Sequence, residues 1–182
     1  FLAEIRNRRL KVFMKKGEHI EGKVVSVAFP NKGKAVCGDD IVTVKNAIPG
    51  QVLDIRIDKV RNGRAEGHAD AVIQESDIVD ESIRCRHFGR CGGCVYQPVR
   101  YEEQLNIKRG QIEKLLAPVG GDYTFEGIKG SPAVEEYRNK MEFSFGDEVK
   151  DGPLSLGMHK RGSFHDIVTV DGCRIMDADF RK

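Results

Sequence analysis

Apolar and polar side chains alternate in short runs through the first part of the chain, at residues 20–27, 41–44 and 52–57. A period of two is typical of strands with one buried face. Turn-forming residues separate the runs, namely Asn31-Lys32-Gly33, Gly38-Asp39-Asp40, Pro49-Gly50 and Asn62-Gly63. About five such strands between residues 17 and 76 predict an OB-like β-barrel. A small β-sandwich or an SH3-like barrel also fits the pattern.

The spacing of the apolar residues changes after residue 76. Between Pro98 and Pro118, apolar residues recur at steps of three, four and seven, which predicts a helix over residues 100–117. Alternation returns at residues 141–145, 154–158 and 166–170, with a hairpin connection at 147–153. The predicted fold class is therefore mixed β and α+β, with an OB-like barrel at 17–76 followed by an α+β domain at 77–182. Residues 1–16 are predicted to be a basic arm ahead of the barrel.

Composition narrows the class of protein. The chain has 182 residues, of which 40% are hydrophobic, and no apolar run approaches the roughly 18 residues needed to span a bilayer. No export signal is visible, because Arg6, Arg8 and Arg9 interrupt the first apolar stretch. We therefore expect a cytoplasmic protein of one or two domains without a membrane partner. Nothing in the pattern suggests a dimer interface, so we expect a monomer.

Charge is unevenly distributed although the net charge is only +2. Residues 66–83 hold six acidic and no basic side chains, whereas residues 84–114 hold seven basic and three acidic ones. Basic zones thus flank an acidic connector. Such zones attract phosphate, but charged runs are more often ordinary solvated surface, so charge alone does not identify a partner.

The cysteines carry the strongest chemical signal. Three of the five cysteines lie within ten residues as Cys85-x5-Cys91-Gly-Gly-Cys94. An odd number of cysteines without an export signal argues against a disulfide scaffold. Three thiolates in a glycine-rich loop are typical of a site for a soft or borderline metal, which needs a fourth ligand from elsewhere.

Cys173 is the better fourth ligand, because it follows an alternating strand in a turn. Cys37 lies within the predicted barrel, where a cysteine more often acts as a small buried hydrophobe, and His87 is a further option. Zinc sites usually pair two C-x2-C units, and only one is present here. The three-plus-one spacing favours an iron–sulfur cluster over zinc.

Six motifs in a fixed order resemble the bacterial RNA (uracil-5-)-methyltransferases, above all those that act on 23S rRNA. The motifs are Ile48-Pro49-Gly50, the Cys85 to Cys94 loop, Tyr101-x2-Gln104-Leu105-x2-Lys108, Tyr137-Arg138-Asn139-Lys140, Leu156-Gly157-Met158-His159 and Val170-Asp171-Gly172-Cys173.

This resemblance implies a TRAM domain of OB type, a central domain with a 4Fe–4S cluster and a methyltransferase domain that uses S-adenosylmethionine. It also implies that the cluster ligands are Cys85, Cys91, Cys94 and Cys173. The family's nucleophilic cysteine near a D-P-P-R-type motif and its basic glutamate do not occur in residues 1–182. We therefore expect the N-terminal portion of such an enzyme, without the Rossmann-type methyltransferase domain and inactive alone.

The expected partner is RNA, most simply 23S rRNA, with tRNA as an alternative. An OB-like face with basic side chains binds single-stranded RNA through its phosphates. The candidate contacts are Lys32 and Lys34 in a barrel loop, Arg138 and Lys140 at a strand edge, and Lys160 and Arg161 in a turn. The competing hypotheses are a stand-alone RNA-binding module with a structural zinc or iron–sulfur site, and a small iron–sulfur electron carrier.

Overall fold

The computed structural model describes residues 14–181 and divides into two compact units between Val79 and Asp80. The predicted basic arm lies outside the described residues as far as residue 13. Among residues 14–181, no helix is long and apolar enough to cross a membrane.

The first unit is a closed five-stranded barrel. Its strands neighbour one another in the order β1-β2-β3-β5-β4, all antiparallel except for the parallel pair β3 and β5. This order and the single parallel pairing are those of an OB-like barrel, which confirms the predicted architecture. The strands are β1 (His19–Ala28), β2 (Lys32–Cys37), β3 (Asp40–Lys45), β4 (Val52–Arg61) and β5 (Arg64–Gln74).

The inward-facing apolar residues of the alternating strands form the barrel core. In β4, Leu53, Ile55 and Ile57 are each at most 1% exposed, while Arg56 between them faces outward. The turn between β4 and β5 is Asn62-Gly63, with φ of 52° and 70°. Positive φ at both central residues is the requirement of a type I′ hairpin turn, which explains why this dipeptide occurs here.

About five strands were predicted, but no alternating run was identified for β2 or β5. The sequence pattern suggested a turn at Asn31-Lys32-Gly33 and a loop position for Lys32 and Lys34, but β2 begins at Lys32 and pairs with both β1 and β3. Gly33, Ala35 and Cys37 are its inward residues. They are too small to produce a strong hydrophobic alternation, so tertiary pairing rather than local sequence determines this strand.

The second unit combines one helix with a small sheet and long irregular segments. Helix α1 (Tyr101–Leu116) matches the predicted helix to within one residue at each end. The antiparallel sheet of this unit has the strand order β6-β7-β8. Its strands are β6 (Ser144–Asp147), β7 (Leu154–His159) and β8 (Ile167–Thr169). Short 3-10 turns lie at Glu81–Ile83 and Ala178–Arg181.

Two expectations for this unit need correction. The strand predicted at 141–145 begins only at Ser144. Arg138 and Lys140 therefore do not lie along a strand: Arg138 makes one isolated bridge to Met176, and Lys140 lies in irregular chain. The alternation at residues 141–143 has no neighbouring strand to pair with, so it does not extend β6.

Candidate metal centre

The segment from Cys85 to Cys94 is a compact loop closed by backbone hydrogen bonds. The N–H of Phe88 donates to the Cys85 carbonyl at 2.9 Å, and the N–H of Cys91 donates to the His87 carbonyl at 2.9 Å. Gln97 anchors the start of the loop, because its Oε1 accepts from the Cys85 N–H at 2.7 Å and its Nε2 donates to the Ile83 carbonyl at 2.5 Å.

The sheet supports the other end of this loop. Cys91 forms a bridge with Lys160, just beyond β7, and the N–H of Gly92 donates to the His159 carbonyl at 2.9 Å. A Cβ atom at Gly92 would lie 3.0 Å from that same oxygen, so the close approach favours glycine. The N–H of Arg161 donates back to the Arg90 carbonyl at 2.7 Å.

Cys173 approaches the loop from the turn after β8. His87 connects the two segments, since its Nε2 lies 2.7 Å from Oδ1 of Asp171, and the Arg86 guanidinium pairs with the same carboxylate. Cys85, Cys91, Cys94 and Cys173 all line one small cavity, together with Phe88 and Val170. The four predicted ligand residues therefore meet in one place, although 79 positions separate Cys94 from Cys173.

The thiols in this centre influence one another electrostatically. Burial, followed by the charges of Cys173, Cys91 and Cys85, raises the pKa of the Cys94 thiol from 9.0 to about 11. Burial also raises the pKa of Cys91, while the Gly93 N–H, 3.4 Å from the Cys91 Sγ, opposes that shift. A metal that binds here would have to displace the protons of these thiols.

Arg161 is one of the positive groups close to this centre. Its guanidinium donates to the Cys94 carbonyl and lies 5.6 Å from the centroid of the Phe88 ring. Desolvation lowers the pKa of Arg161, whereas the charges of Cys91 and Cys94 raise it. Sequence reasoning placed Arg161 at the RNA surface. Nothing in the turn sequence indicated that the side chain folds back onto the cysteine loop.

The other predicted RNA contacts are scattered. Lys32 and Lys34 project outward from β2. Lys140 pairs with Glu142 at 2.8 Å, and Nζ of Lys160 lies 3.9 Å from Asp166. The charge of Arg138 partly opposes the rise in the pKa of the Cys94 thiol.

The donors in the centre are soft sulfur atoms, which suit zinc or iron–sulfur centres rather than magnesium or calcium. Within residues 14–181, no group of three or more His, Cys, Asp or Glu side chains is arranged to hold a single metal ion. Cys37, the fifth cysteine, is 3% exposed within the barrel and does not line this cavity. That position agrees with its expected role as a small buried hydrophobe.

No protein-family model matches the chain. The chain is 44% identical over 170 residues to an uncharacterized RNA methyltransferase of Caldanaerobacter subterraneus subsp. tengcongensis, which covers 93% of the chain and 37% of that relative. It is 42% identical over 170 residues to an uncharacterized RNA methyltransferase of Clostridium acetobutylicum, with 92% and 37% covered. The chain thus spans a little over a third of the length of these curated relatives.

A solved structure shares the fold. The chain matches Pyrococcus abyssi tRNA (uracil-54, C5)-methyltransferase, solved in complex with S-adenosyl-L-homocysteine, with a TM-score of 0.60 and 22% identity. The match covers 91% of this chain and 35% of that one. Along nearly its whole length, the chain is therefore similar in sequence to part of proteins named RNA methyltransferases and similar in fold to part of a solved one.

Proposed function

We propose that this chain is the RNA-binding and iron–sulfur portion of an S-adenosylmethionine-dependent RNA methyltransferase that forms 5-methyluridine in 23S rRNA. The observation that carries the proposal is the meeting of Cys85, Cys91, Cys94 and Cys173 around one cavity, in a chain similar over 93% of its length to a protein named an RNA methyltransferase. The barrel, residues 17–76 of the sequence, is the proposed TRAM domain.

A 4Fe–4S cluster fits the donor set better than one zinc ion does. Zinc sites usually pair two C-x2-C units, and only one such unit is present here. A four-iron cluster takes four cysteines, one for each iron, so its thiolates are spread around a larger centre. When bound, the cluster would cross-link the loop at 85–94 to the turn at Cys173 and stabilise a unit with little regular structure.

The chain's own contribution to the reaction is substrate binding. Lys32 and Lys34 project from the same outer face of β2, where they are exposed and can contact successive phosphates. Arg138, Lys140 and Lys160 are the proposed contacts in the second unit. Arg161 is directed at Cys94 and Phe88, so we assign it to the cysteine loop. We assign no catalytic residue within this chain.

Metal analysis tests the cluster. The chain is purified without oxygen, and iron, sulfide and zinc are measured in the wild type and in Cys91→Ser, with Cys37→Ala as the control. About four irons per chain are expected in the wild type and in Cys37→Ala, with loss of iron in Cys91→Ser. A colourless protein with one zinc would contradict the cluster and favour the RNA-binding module with a zinc site.

Methyl transfer tests the reaction. A full-length protein that contains this chain is incubated with S-adenosylmethionine and either 23S rRNA or tRNA transcripts, and the product nucleoside is identified by mass spectrometry. We expect 5-methyluridine in 23S rRNA, and no product from residues 1–182 alone. Modification of tRNA only would correct the substrate, and modification of neither RNA would reject the enzyme proposal.

A further inference from the structure

A groove in the second unit adjoins the metal centre, and its lining shares Cys94, Gln97, Arg174 and Ile175 with the cysteine cavity. It runs between α1 and the segments 94–97 and 131–138, over a floor of Val99 and Ile175. Its volume is about 400 Å³, which is within the range of roughly 300–1,000 Å³ found for small-molecule sites. The groove is therefore large enough for one nucleotide.

Three of the four tyrosines in the chain line this groove. Tyr96 is half-buried. The hydroxyl of Tyr101 accepts a hydrogen bond from the Ser131 N–H at 2.6 Å, which holds the Tyr101 ring in place. Tyr137 on the facing segment is 56% exposed and has its ring available for contact. Aromatic rings in a groove are stacking surfaces for unpaired bases.

Positive charge lies at the same groove. Gln104 and Lys108 are four residues apart on α1 and so share the helix face that carries Tyr101. Within residues 14–181, neither Lys108 nor Arg138 forms an ion pair, and both side chains are exposed. Glu135 also lines the groove, but its carboxylate pairs with Arg174 at 2.6 Å. The unpaired charge facing a ligand is therefore positive.

The backbone holds Arg138 in position. Its N–H donates to the Ile175 carbonyl at 2.9 Å, and its carbonyl accepts the Asp177 N–H at 3.1 Å. Tyr137 immediately precedes it, so an exposed ring and an unpaired guanidinium leave the same ordered segment. This arrangement suits a ligand with an aromatic part and an anionic part close together, as in a nucleotide.

We propose that this groove binds one unpaired nucleotide of a single-stranded RNA, with the base against Tyr137 and a flanking phosphate between Lys108 and Arg138. The proposal rests on the RNA-binding function above and adds a defined nucleotide site to it. A double-stranded RNA does not satisfy the site, because its bases are stacked and paired and cannot reach the tyrosines.

The test is RNA binding by the full 182-residue chain, measured by fluorescence anisotropy. The probes are a fluorescein-labelled ten-nucleotide oligouridylate and a labelled duplex of equal length. Tyr137→Ala is compared with Tyr123→Ala, a tyrosine of similar exposure (50%) outside the groove. Lys108→Ala is compared with Lys114→Ala, an exposed lysine of the same helix that does not line the groove. Circular dichroism verifies that each variant is folded.

We expect Tyr137→Ala and Lys108→Ala each to weaken binding of the single strand about tenfold, while each control stays within about twofold of wild type. Lys108→Ala is further expected to reduce the slope of log affinity against log salt by about 0.7, the value for one phosphate contact on a single strand. A 4-thiouridine probe is expected to cross-link to the peptide that contains Tyr137.

Two outcomes overturn the groove site without touching the wider function. One is that all four variants bind the single strand as tightly as the wild type does. The other is a full-length protein whose RNA affinity is unchanged by Tyr137→Ala, which would show that the rest of the polypeptide fills the groove. If the wild-type chain binds no RNA at all, the RNA-binding function itself fails, and the groove proposal fails with it.

Discussion

Single side chains organise the cysteine centre, and Arg161 is the clearest example. Its guanidinium contacts the Cys94 carbonyl and the Phe88 ring, and its backbone N–H bonds to Arg90. Arg84 also lies over the Phe88 ring, at 5.3 Å from the centroid. The loop therefore depends on contacts outside the four thiols, as is usual for metal sites.

Replacing Arg161 by Met should destabilise the second unit. The variant removes a charged hydrogen bond and a cation–π contact, so we expect its unfolding free energy to fall by about 2 kcal/mol. The measurement is urea unfolding of the metal-free chain. Arg109→Met, on the exposed side of α1, is the matched control and should change little. Equal stability of the two variants would show that Arg161 does not support the loop.

Cys37 should be chemically inert in the folded chain. Burial, and then the charge of Asp40, raises the pKa of its thiol from 9.0 to about 11. At pH 9 its thiolate fraction is therefore roughly 50-fold lower than in the unfolded chain. We expect iodoacetamide to modify Cys37 only after urea is added, as followed by peptide mass spectrometry. The pKa of Cys37 is higher in the folded chain than in the unfolded chain. The free energy of unfolding should therefore decrease as the pH rises above 9. Rapid modification without urea would contradict its burial.

At the scale of elements, the sheet of the second unit is closely packed around β7. Gly157 pairs with Ser144 on β6 and with Thr169 on β8. A Cβ atom built on Gly157 would fall 1.8 Å from the Val168 carbonyl oxygen, so β8 can approach only because this residue has no side chain.

Two Gly→Ala substitutions should have opposite effects. Gly157→Ala forces β7 and β8 apart and should cost at least about 3 kcal/mol. Gly110→Ala lies inside α1, where an added Cβ meets nothing within 4 Å, so it should stabilise the helix by about 0.5–1 kcal/mol. Thermal unfolding of both variants measures the difference. A tolerated Gly157→Ala would show that β7 and β8 are not so closely paired.

At the scale of the whole molecule, the chain has two units with different sources of stability. The barrel has a continuous apolar core, of which Val42, Val44 and Ile55 are completely buried. The second unit has few buried side chains outside β8 and the segment at Ile175, and Gln111, which is 8% exposed, is the one buried residue of α1. A metal that joins its segments is therefore expected to matter more there.

Removal of the proposed metal should destabilise the second unit selectively. We expect calorimetry of the metal-free chain, or of Cys91→Ser, to show one transition lowered by about 10 °C or more, since each 1 kcal/mol moves the midpoint of a domain this size by about 4–8 °C. The barrel transition should be unchanged. A uniform shift of both transitions, or no shift, would contradict a structural role for the centre.

Local sequence determined much of this protein. Alternation of side chains and the Asn62-Gly63 turn predicted the barrel, because a period of two and a type I′ turn follow from local backbone geometry. Helical spacing between two prolines predicted α1 in the same way. The cysteine loop was visible because three thiols lie within ten residues.

Tertiary structure decided the rest. Strand β2 exists because β1 and β3 pair with it, not because Gly33 and Ala35 favour a strand. The position of Arg161 at the loop, and the convergence of Tyr137 with Lys108 in one groove, depend on how segments far apart in sequence pack. Contacts between distant segments produce no regular spacing of residues along the chain. Each residue is selected for its own packing position and not for a pattern that it shares with its sequence neighbours.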